Sequence, residues 1–141
     1  MIEVQEKIEV RYQETDQMGV VYHGNYLVWF EIGRTKYLEN LGLKYIELEG
    51  LGYYSPVIDI NISYRKAVKY GQEVTIKTSL ESYDGIRTVY SYKIFDDKGD
   101  LAVTGKSTHV VVRKDTFSPV LMRKVYPHWH QVFIDRTAAD K

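Results

Sequence analysis

The chain has 141 residues and no cysteine, and 19 Lys plus Arg balance 19 Asp plus Glu. That length predicts one domain burying about two-thirds of its unfolded surface, and the charge balance leaves no electrostatic footprint for nucleic acid or an anionic membrane. Lack of cysteine excludes disulfides, thiol nucleophiles and thiolate metal sites; no apolar run approaches the ~18 residues of a membrane span, MIEVQEKIEV lacks an apolar leader, and a cytoplasmic protein is expected.

Ile2 to Tyr12 alternates, with Ile2, Val4, Ile8, Val10 and Tyr12 on one face and Glu3, Gln5, Lys7, Glu9 and Arg11 on the other, which predicts a half-buried strand. A loop, TDQMGVVYHGN, follows. The next stretch to Leu41 reads as a helix with Asn25 as N-cap and Gly42 as its left-handed C-terminal residue. Tyr26, Leu27, Val28, Trp29, Phe30 and Ile32 crowd its first two turns on every side, so it should begin inside the protein. Gly33 in mid-helix costs about 1 kcal/mol against Ala, which predicts a backbone or side chain packed flat upon it.

Gly42, Gly50, Gly52 and Pro56 punctuate a connection holding a short turn at Tyr45 to Leu48. Val57 to Tyr64 alternates Ile58, Ile60, Ile62 and Tyr64 with Asp59, Asn61 and Ser63 as a second strand. Glu73 to Tyr83, Arg87 to Phe95 and Leu101 to Arg113 follow, joined by turns at Asp84-Gly85 and Asp96 to Gly99. These four strands read as a meander. The last carries apolar residues on both faces and is expected to be central. Beyond Ser118 the tail predicts a short helix entered at Pro127, with Asp135 to Lys141 frayed. The architecture is α+β: a five-stranded antiparallel sheet curled around one long helix, residues 1–118 forming the core and 119–141 the tail of a single domain.

The run Tyr12, Thr15-Asp16, Met18-Gly19-Val20-Val21-Tyr22-His23, Asn25-Tyr26, Phe30-Glu31 and Arg34 resembles the signature of hotdog-fold thioesterases of the 4-hydroxybenzoyl-CoA thioesterase type, especially their bacterial acyl-CoA thioesterase branch. The likeness extends in strand pattern to about Arg113. It implies a hotdog fold and hydrolysis of an acyl-CoA, or acyl-carrier thioester, to a free acid and a thiol. The family's catalytic carboxylate falls on Asp16. His23 falls on the position whose backbone N–H polarises the thioester carbonyl, and Tyr12, Tyr22, Gly24 and Asn25 are the flanking substrate-binding positions.

The local chemistry agrees. A helix start offers unpaired N–H groups and partial positive charge, which favour a developing oxyanion and keep a nearby carboxylate ionised. With no cysteine and no Gly-x-Ser-x-Gly elbow, a carboxylate is the available catalyst. Asp16 to Gly19 equally has the composition of an Asx turn, His23 that of a packed loop residue, and Asn25 that of a cap. Whether Asp16 attacks directly or activates water stays open, since both need an ionised carboxylate near the carbonyl carbon. A non-catalytic acyl-CoA binding module and a hotdog dehydratase or hydratase are the other readings; the latter lacks its His-Phe-Pro-Gly-type stretch, because Gly24-Asn25 follows His23.

For the nucleotide end of the carrier, the densest local positive charge is Arg65 and Lys66, with Lys69 close by. No cofactor is expected. Gly99 to Ser107 imitates a phosphate loop with the wrong glycine spacing and no following helix, and His128 and His130 lack a third ligand, so no metal is assigned. Val57 to Ser63 is β-branched and nearly uncharged, without the lysines or prolines that protect an exposed edge. In the hotdog fold this strand pairs with its two-fold mate, so a homodimer or dimer of dimers is expected.

Overall fold

The computed structural model describes residues 2–139. The elements in chain order are β1 (Glu3–Glu9), a 3-10 turn (Tyr12–Glu14), α1 (Asn25–Asn40), α2 (Tyr45–Gly50), β2 (Tyr53–Tyr54), β3 (Val57–Tyr64), β4 (Glu73–Tyr83), β5 (Arg87–Phe95), β6 (Leu101–Val110), β7 (Val112–Arg113), α3 (Met122–Val125) and α4 (Pro127–Ala139). Five strands form one antiparallel sheet in the order β1-β4-β5-β6-β3, and β2 pairs separately with β7. The long helix and the antiparallel sheet are therefore as the sequence predicts.

The order corrects the four-strand meander. Only β4, β5 and β6 run hairpin to hairpin. β3 lies beside β6 at the sheet edge, so the chain crosses from one edge to β4, next to the other edge strand β1. As expected, the strand after the helix is an edge strand and β6 is interior, where Ala102 and Val103 are both fully buried. Val57, Ile58, Ile60 and Tyr64 stay 40–53% exposed on β3.

The helix packs on the sheet through Trp29, Phe30 and Tyr37, all fully buried, against Ile76 and Leu80 of β4 and Tyr90, Tyr92 and Ile94 of β5. Phe30 stacks on Tyr92 with ring centroids 4.2 Å apart and planes 6° from parallel. Gly33 faces β4 so closely that an added Cβ would strike Thr78 Oγ1 and come within 3.0 Å of Ile76. The glycine is thus the close approach its position predicts, and Gly42 ends the helix at φ 77°.

Four local expectations are corrected. Tyr12 is not in β1: the strand stops at Glu9, and Tyr12 projects from the 3-10 turn at 77% exposure. The first helical turns are not covered on every side, since Leu27 and Val28 are 40% and 43% exposed. The predicted final strand breaks at Val111 between β6 and β7. The tail is more ordered than expected, because α4 continues through Asp135 to Ala139, with Trp129 and Phe133 buried in the main core; residues 140 and 141 lie outside the described residues.

Candidate active site

The loop before α1 is a tight hairpin. Thr15 bridges Val21, Asp16 N–H donates to the Val20 carbonyl at 2.9 Å, and Val21 N–H donates to the Val68 carbonyl at 2.8 Å. Asp16 Oδ1 accepts the Met18 N–H at 2.8 Å, the Asx geometry its composition allows. Its other oxygen accepts nothing among the described residues, so the turn fixes the carboxylate's orientation without consuming it.

The hairpin leads straight into the helix start. Gly24 occupies the cap position, with no side-chain cap, which corrects the assignment of that role to Asn25. Asn25 is the first helical residue, and its Nδ2 donates 2.8 Å across the loop to the Glu14 carbonyl. A Cβ on Gly24 would sit 2.8 Å from the half-exposed Tyr22 ring, which would have to shift to admit it. The backbone N–H groups of His23, Gly24 and Tyr26 find no acceptor among the described residues. They are the free donors a helix start provides.

His23 is exposed, its ring 4.3 Å from that of Tyr22, and its carbonyl accepts the Tyr64 hydroxyl at 3.2 Å. No hydrogen bond joins its imidazole to Asp16 among the described residues. The structure thus places Asp16, Tyr22, His23, Gly24 and Asn25 on one hairpin-to-helix unit and sets Tyr12 to its side, edge-on to Tyr70 at 5.6 Å.

Arg65 and Lys66 differ from each other. Lys66 Nζ lies 2.8 Å from buried Asp96 Oδ2 and 2.7 Å from Asp100 Oδ2. Hydrogen bonds donated to Asp100 and then Asp96 raise the Lys66 ammonium above its ordinary value. Its charge is already matched within the chain. Arg65 makes no ion pair among the described residues.

Glu14 is the residue that sequence reasoning missed. It is 4% exposed, and its carboxylate accepts from Trp29 Nε1 at 2.7 Å and from Arg11 N–H at 2.8 Å, with the Arg11 guanidinium at 3.4 Å. Its carbonyl accepts from Tyr22 N–H as well as Asn25. Burial pulls the carboxyl upward, but the Arg11 N–H, the Trp29 indole and the Arg11 side chain together hold it below the usual carboxylate range. Its available signal was Trp29, since a buried indole N–H needs an acceptor.

The sequence profile of the thioesterase-like superfamily matches residues 10–129. This chain belongs to that superfamily. The thioesterase-like chain is 49% identical over 127 residues, 90% of its length and 92% of the relative's, to "Putative acyl-CoA thioesterase YneP" of Bacillus subtilis. A DHNA-CoA thioesterase structure from Staphylococcus aureus superposes with TM-score 0.98 at 43% identity, covering 99% of this thioesterase-like chain and 94% of that one. A 1,4-dihydroxy-2-naphthoyl-CoA thioesterase from Synechocystis, at 16% identity and TM-score 0.83 over 94% and 96% of the two chains, shares the fold alone. The hotdog arrangement expected from the resemblance is therefore the fold of this thioesterase-like chain.

Proposed function

We propose that the protein is an acyl-CoA thioesterase whose hydrolytic centre is the Asp16 hairpin together with the start of α1. The observation carrying this reading is the row of unspent N–H donors at His23, Gly24 and Tyr26, one hairpin away from a carboxylate with a free oxygen. Donors fixed at a helix start stabilise the oxygen where negative charge develops, each worth about 3–4 kcal/mol by analogy with other oxyanion holes. Asp16 supplies the attack on the thioester carbon, either by its own oxygen or through a water it deprotonates. The Staphylococcus relative makes 1,4-dihydroxy-2-naphthoyl-CoA the first substrate to assay.

The working unit in this reading is a two-fold dimer joined through β3. Its free edge and its apolar residues support this, because an uncharged strand edge needs a cover.

Asp16→Asn should fold, bind acyl-CoA and lose at least ~10²-fold in turnover. His23→Ala should lose less, because its backbone N–H survives the substitution. Near-full activity in Asp16→Asn would leave a binding module as the better reading; a larger loss from His23→Ala would move the main catalytic role to the imidazole.

A further inference from the structure

Of the three N–H groups left free at the start of α1, the one on Gly24 is the hardest to hold still. Glycine has the widest backbone freedom, and no side chain caps this helix end. An oxyanion donor is effective when it is aimed before charge develops, because reorienting it during the reaction costs part of what it stabilises. The Gly24 amide therefore needs a hold from outside the loop.

Tyr64 is placed to supply it. The His23 carbonyl and the Gly24 N–H belong to one planar trans peptide, so they point in opposite directions and turn together. Gly24 has helical dihedrals, φ −67° and ψ −23°, and its carbonyl takes the Leu27 N–H at 3.3 Å. The His23 carbonyl lies just ahead of the helix's own ladder, and no backbone N–H donates to it among the described residues. Its partner is the Tyr64 hydroxyl, 3.2 Å away and 41 residues on.

That hydroxyl stands on a firm base. Tyr64 is the last residue of β3, paired with Val103 of β6, and the next two N–H groups, of Arg65 and Lys66, both donate to the Ala102 carbonyl. The Tyr64 ring lies 5.7 Å from that of buried Tyr26 and edge-on to the His23 imidazole at 6.4 Å. Strand pairing and ring contacts thus place the side chain, and its hydroxyl makes no other hydrogen bond among the described residues. A donor on the carbonyl oxygen also polarises the whole peptide, strengthening its N–H by roughly 10–30% per bond.

We infer that Tyr64 is a positioning residue for thioester hydrolysis: through the His23 carbonyl it aims and polarises the Gly24 N–H toward the oxygen on which negative charge develops. The inference rests on the thioesterase reading, and adds to the Asp16 hairpin a residue from the sheet edge that touches no reacting atom.

Tyr64→Phe removes one oxygen and keeps the ring, and two readouts on the full-length protein test the role. Hydrolysis of 1,4-dihydroxy-2-naphthoyl-CoA should show kcat reduced ~5–10-fold with KM within about twofold, the split expected when an interaction made in the transition state is weakened. The thermal midpoint should stay unchanged, because the lost bond is exposed. In amide proton–nitrogen correlation spectra without ligand, the Gly24 nitrogen should shift further than those of His23 and Tyr26, whose preceding carbonyls Tyr64 does not touch. A reduced kcat with the Gly24 resonance unmoved would overturn the inference, since the hydroxyl would then act on substrate directly; a reduced kcat that tracks a fallen midpoint would overturn it as a loss of fold. Equal turnover in variant and wild type would sink the positioning role and leave the thioesterase reading standing. A wild type inert toward a panel of acyl-CoA thioesters would sink that reading itself.

Discussion

Trp29 donates its indole N–H to Glu14 Oε2 at 2.7 Å, joining the floor of the candidate active-site loop to the buried face of α1. Glu14 also holds Asn25 and Tyr22, whose amide and backbone N–H donate to its carbonyl. Glu14 is a positioning residue: it has no contact with a reacting atom in the proposed chemistry, and it fixes the helix start relative to the Asp16 hairpin.

Glu14→Gln should therefore lose stability by about 1–3 kcal/mol, the cost of a buried hydrogen-bond network left short of an acceptor. The network's carboxylate is held below its ordinary value, so its stabilisation is complete above the unfolded carboxylate range near pH 4.5 and is lost as pH falls below it. Urea unfolding of wild type and variant at pH 7 and pH 3.5 should show a gap that narrows in acid. A pH-independent gap would assign the loss to packing alone.

How much of this was legible in the chain differs from residue to residue. Gly33 announced itself, because a mid-helix glycine is costly unless something presses on it, and Thr78 does. The hairpin and helix holding Asp16 and His23 were equally readable, being local. Asn25 misled for a physical reason: a cap is inferred from neighbours in sequence, whereas its amide is committed to Glu14 on the far side of the loop. Lys66 misled in the same way, since the acids that match it arrive only with β5 and β6. The position of β3 beside β6 was hidden because a meander is the shortest assumption for consecutive strands. Arg34, Tyr90 and Trp129, which line one cavity, come from α1, β5 and α4, which only folding brings together.

The contrast between Arg65 and Lys66 separates binding from stability. Arg65→Glu should raise the KM for acyl-CoA at low salt, with the effect shrinking as salt screens the phosphates, and leave the thermal midpoint unchanged. Lys66→Glu should instead lower the midpoint, because it adds a third acid beside Asp96 and Asp100. If Arg65→Glu leaves KM unchanged at low ionic strength, the coenzyme A phosphates are held elsewhere, with Arg87 and Lys106 next to be changed.

His109 gives the fold its own pH dependence. Burial foremost, then the Arg34 charge, push its imidazole down to about 4, whereas an unfolded histidine takes up its proton near 6.5. Between those values the unfolded chain binds a proton the folded one refuses. Stability is therefore complete above about pH 6.5 and falls by up to about 3 kcal/mol as pH drops to about 4, beyond which this group adds no further loss. His109→Gln should flatten that stretch relative to wild type in denaturant titrations. Parallel curves for the two proteins would remove His109 as the cause.

The assembly prediction follows from β3. Its hydrogen-bonded neighbour is β6 on one side only, and Ile58 and Ile60 remain 51% and 40% exposed beside the 40% and 43% exposed Leu27 and Val28. A second copy pairing antiparallel along this edge covers the strand and the bare side of the helix start together, the burial that the all-round apolar first turns of α1 call for. In the proposed dimer it would also bring the second copy's edge beside Asp16 and the helix start. Activity and assembly are then inseparable. Ile60→Lys puts an unpaired charge at that junction and should yield a folded monomer with little turnover, judged by light scattering alongside an acyl-CoA assay. A monomeric wild type, or a monomeric variant with full activity, would defeat the shared site.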